Sequence, residues 1–127
     1  MDANVILRFL DGRPEGQARA AEALFERAQL GELRVQVHPA ILAEVVYVAA
    51  SPHGLGLART DITRVLSQFL TMTGIEIDDL PGVLQALQIY AGTTVDWVDA
   101  LLIAALAQRR VFSFDRHLLA AGAAAPE

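Results

Sequence analysis

Apolar residues recur along this chain at two spacings, and each predicts a kind of element. Across residues 15–30, Ala18, Ala21, Leu24, Phe25 and Ala28 fall three and four apart, the repeat of one helical face. Pro14 suits the first turn of that helix and Gly31 its C-cap. Helical spacing also predicts residues 39–50, opened by Pro39 and ended by Ser51-Pro52-His53-Gly54. Residues 60–72 follow, with Ile62, Val65, Leu66 and Phe69 on one face and Gly74 as the stop. Residues 81–90 form another helix, and residues 96–109 carry the strongest helical pattern of all. A short helix closes the chain at 115–121. Residues 4–10 read as a helix that follows a very brief strand, with Asp11-Gly12-Arg13-Pro14 as a turn. Short apolar runs at 33–37, 75–77 and 111–114 predict strands. The Ala-rich end with Pro126 is expected to fray.

Strands alternating with helices predict an α/β fold with a parallel sheet flanked by helices. With 127 residues, no internal repeat and no linker, the chain reads as one domain spanning 1–127. In open parallel sheets ligands gather at the carboxyl ends of the strands.

Composition narrows the chemistry. Hydrophobic residues make up 54% and mean hydropathy is +0.37, which implies a generous core or an apolar face meant for a partner. There is no cysteine, which excludes disulfides, thiol catalysis and cysteine-ligated metals. The three histidines, His38, His53 and His117, form no pair at ligand spacing. All ten basic residues are arginine, so chemistry that needs lysine is excluded: Schiff bases, P-loop phosphate binding and receiver-type phosphotransfer. The net charge of −5 argues against simple coating of nucleic acid, although a cation held by clustered carboxylates reverses the local sign. No secretory pattern opens the sequence, and the apolar runs at 39–50 and 97–107 are shorter than the roughly 20 residues a membrane span takes. A cytoplasmic protein is expected.

Of the fifteen carboxylates, most fall on polar helix faces, caps, loops or the tail. Asp2, Glu44, Asp99 and Asp115 do not. Glu44 is the only charge between Arg34 and Arg59, with Ile41, Val45 and Val48 around it. Asp99 lies inside Trp97-Val98-Asp99-Ala100-Leu101-Leu102-Ile103. Asp115 follows the run 111–114, and Asp2 precedes Val5-Ile6-Leu7. An unpaired buried carboxylate is costly, and one shared cation would relieve all of them. The expectation is that they project together over the carboxyl ends of parallel strands. Oxygen-only ligands favour magnesium or manganese, which can activate water and polarise a phosphodiester.

The order of Asp2-Ala3-Asn4-Val5-Ile6-Leu7, Leu42-Ala43-Glu44-Val45, Asp96-Trp97-Val98-Asp99-Ala100-Leu101 and Ser113-Phe114-Asp115-Arg116 resembles the PIN-domain family, most closely its VapC-like toxin ribonucleases. The resemblance implies a PIN-like fold with a central parallel sheet in three α/β/α layers. It implies a Mg2+- or Mn2+-dependent endoribonuclease, the toxin of a type II toxin–antitoxin pair. Asp2, Glu44, Asp99 and Asp115 would be its catalytic, metal-binding acids, with Asn4 supporting the first. A small cognate antitoxin, an RNA substrate and a homodimer are the implied partners, and no membrane is. Asp96 reads either as a helix N-cap or as a residue supporting the metal from outside its ligands. Arg8 and Arg116 read as RNA-phosphate contacts or as surface arginines, and Trp97 as core rather than a base-stacking platform.

In the family several apolar residues precede the first acid and form a central strand. Here only Met1 does, and a natural start upstream is expected. The main rival from another class is a catalytically inert PIN-like binding module. A phosphoacceptor domain conflicts with the missing lysine, and a DNA nuclease of this fold would need a larger helical arch.

Overall fold

Two local devices bound the first helix, α1 (Ala3–Asp11). The Asp2 carboxylate accepts the Asn4 amide proton at 2.9 Å, and Gly12 ends the helix in the left-handed region at φ 75°. The structure is a computed structural model describing all residues, Met1–Glu127. Two compact units divide it, Met1–Leu80 and Pro81–Glu127.

The first unit continues with α2 (Glu15–Gln29), β1 (Val35–Val37), α3 (Pro39–Ala50), α4 (Arg59–Leu70) and β2 (Ile75–Ile77). β1 and β2 pair in parallel, with Val35 opposite Ile75, Gln36 opposite Glu76 and Val37 opposite Ile77. Val35 and Val37 are buried and Gln36 is exposed, the period-two pattern of a strand with one wet face. α3 starts sharply because His38 Nδ1 accepts the Ala40 amide proton at 3.0 Å and Pro39 presets the first turn. α1 packs on α2 and α3, and α4 packs on α3 and β2. Three rings knit this unit: Phe9, Phe25 and Phe69, with centroids 4.8 Å apart for Phe9–Phe25 and 5.0 Å for Phe25–Phe69. Ile6, Leu42, Ile62 and Leu66 fill the core around them.

Gly74 sits at a turn of this unit that tolerates no side chain. Its φ is +86°, its carbonyl accepts the Val35 amide proton at 2.8 Å, and an added Cβ would lie 2.4 Å from the Ala28 carbonyl oxygen. Backbone cannot swing aside as a flexible side chain can. Gly74→Ala is therefore expected to cost roughly 1–3 kcal/mol or more, seen as a lower urea midpoint at unchanged m.

The second unit holds α5 (Leu80–Gly92), α6 (Trp97–Ala105) and α7 (Arg116–Ala121). Trp97 stands edge-on to Tyr90, centroids 6.1 Å apart, and only 6% of it is exposed, as a core role requires. α6 packs on α7.

Several boundaries differ from those the sequence pattern predicts. The helix expected at 96–109 ends at Ala105 and tightens into turns, where Leu106 N–H bonds Ile103 O and Gln108 N–H bonds Ala105 O. Residues 107–110 are exposed, so no apolar stripe remains to hold them helical. The strand expected at 111–114 is reduced to one parallel bridge, Phe112 with Ala124. That bridge also ties down the terminal segment expected to fray: Ala124 N–H bonds Val111 O at 2.8 Å, and Ser113 N–H bonds Ala124 O at 3.0 Å. No strand precedes α1. No helix is long and apolar enough to cross a membrane.

Candidate acidic site

α6 sets the geometry of the acids in the second unit. Asp96 caps it, Oδ1 accepting the Asp99 amide proton at 2.9 Å. Trp97, Ala100 and Ala104 form its buried face. Asp99 flanks that face in the first turn and is half-buried, while Asp96 is exposed. Burial, first of all, pushes the Asp99 carboxyl above the usual aspartate range. The negative charges of Asp96 and Asp115 push it further, and His117 opposes them.

Asp115 caps α7. Its Oδ1 accepts amide protons from His117 at 2.8 Å and Leu118 at 3.2 Å, and its own amide donates to Ser113 Oγ at 2.9 Å. The cap commits Oδ1 to the helix. The ion pairs Arg13–Asp11, Arg19–Glu15, Arg27–Glu32, Arg34–Glu76 and Arg64–Asp61 all lie in the first unit. No arginine offsets Asp96, Asp99 or Asp115. A carboxylate whose pKa is raised by burial and by neighbouring acids, without an arginine counter-charge, is a candidate for a cation site or a proton-handling acid.

Asp115→Asn separates the cap from the charge. Asparagine caps about as well as aspartate, so stability is expected to stay within about 0.5 kcal/mol. Removing the negative charge is expected to lower the Asp99 pKa, as read by carboxyl 13C NMR titration.

In the first unit, Asp2 is exposed and serves as the α1 cap. Glu44 is exposed as well, which corrects the sequence expectation of a carboxylate on a buried face. The buried positions of α3 are Leu42, Val45, Val46 and Ala49, whereas Ala40, Glu44 and Tyr47 share an outward stripe at helical spacing. Ile41, Val45 and Val48 are near Glu44 in sequence but flank it rather than cover it. The same correction applies to Asp2 and Asp115, both exposed; only Asp99 is partly withdrawn from water. Nor do all four follow strands. Only Glu44 lies on a helix that directly follows a strand of the sheet, β1. In neither unit do three or more acids and histidines converge at metal-holding geometry.

Asn4 is exposed on α1 and lines an open groove of about 310 Å³ with Val5, Arg8, Gln17, Ala20 and Leu24. Arg8 Nε donates to Gln17 Oε1 at 2.9 Å. The Trp97 indole N–H is buried with no hydrogen-bond partner. Sequence reasoning missed two contributors. His117 acts on Asp99 electrostatically and Ser113 shapes the Asp115 turn. Their signal was position, each two residues from Asp115.

Comparison with known proteins bears on the same residues. The PIN domain family matches residues 1–123, a span that includes every acid named above. No curated protein and no solved structure matches the chain.

Proposed function

The chain belongs to the PIN-domain family, a family of nucleases, and from that premise we propose that it is a metal-dependent endoribonuclease acting as the toxin of a type II, VapC-like toxin–antitoxin pair. One domain in three α/β/α layers, a homodimer, a small cognate antitoxin and a cytoplasmic location complete the reading.

The observation that carries it is Asp99: half-buried, held above the ordinary aspartate range by burial and two neighbouring acids, and offset by no arginine. This donor chemistry fits a hard cation. The available ligands are carboxylate oxygens, and the chain offers no thiol. Asp2, Glu44, Asp99 and Asp115 would hold Mg2+ or Mn2+, with Asn4 and Asp96 supporting them. When bound, such an ion polarises the phosphodiester and makes water a better nucleophile near neutral pH. The residues supply the rest. Asp96 Oδ1 and Asp115 Oδ1 are fixed by helix amides, so each carboxylate is oriented before RNA arrives. Pre-orientation of this kind lowers the reorganisation needed at the moment of reaction. Asp99, the one of these acids partly withdrawn from water and set beside two others, would gain most from a bound cation's charge.

Chelator-stripped protein incubated with a mixed small-RNA pool tests the reading. Cleavage is expected only after Mg2+ or Mn2+ is restored. Protein that neither cleaves RNA nor takes up Mn2+ in a paramagnetic titration would instead be an inert binding module of the same fold.

A further inference from the structure

We draw no further inference here: the strongest candidate, the open groove between α1 and α2 lined by Val5, Arg8, Gln17, Ala20 and Leu24, carries none because nothing in the structure shows what covers it.

Discussion

Asp99→Asn is expected to lower metal-dependent RNA cleavage by at least about 100-fold, because even residues that merely support metal ligands are worth 10–100-fold. The same substitution is expected to stabilise the metal-free protein at neutral pH. The sign follows from linkage. Asp99 binds its proton more tightly in the folded chain than in the unfolded one, so ionisation costs stability as pH rises through the unfolded and then the folded value. Above both values the cost is fully present. Below the ordinary value of 3.8 both states are protonated, and the variant has no advantage. Melting temperature measured across that range checks the prediction. Added Mn2+ should raise the melting temperature of wild type and not of the variant, since only a ligand bound to the folded state shifts the equilibrium. A variant that is less stable at neutral pH and equally active would show that Asp99 is an ordinary first-turn acid of α6.

Phe25→Ala carries the largest expected effect on stability, about 3–5 kcal/mol. Phe25 is 1% exposed and sits between Phe9 of α1 and Phe69 of α4, edge-on to both. Removing it deletes buried ring area and both ring–ring contacts, and it leaves a cavity that α1, α2 and α4 line together. Since domains are stable by only about 5–15 kcal/mol, the loss should leave the first unit barely folded at room temperature. Denaturation followed by circular dichroism reads the change directly. A loss under about 1 kcal/mol would mean that the three rings are not the centre of that unit.

The helices were legible in the sequence because their signals are local. The 39–50 helix has its Pro at the start, its Ser-Pro-His-Gly stop and its apolar periodicity all within its own span, and α3 occupies those residues. The strands at 33–37 and 75–77 were legible as a β-type run, and the structure keeps Val35–Val37 and Ile75–Ile77 of them. What failed depends on partners. Residues 111–114 look like a strand by composition, yet a strand needs a ladder, and only Phe112 finds one partner residue. Which residues of 111–114 face water was not legible in the run itself. The acids divide in the same way. Asp96 and Asp115 were readable as helix starts, and both cap. The burial of Glu44 was misread because its sequence neighbours are apolar, whereas the rotation of α3 turns it outward. Asp99 was read correctly as an acid on an apolar helix, since there the periodicity and the burial agree.

The central claim is that Asp99 and Asp115, whose charges act on one another within the second unit, serve one reaction. Single-turnover RNA cleavage by Asp99→Asn, Asp115→Asn and the double variant tests it most directly. Residues that act as a unit are strongly non-additive. The account predicts that the double variant is no slower than the slower single variant. Losses that multiply, or an Asp115→Asn enzyme as fast as wild type, would contradict it.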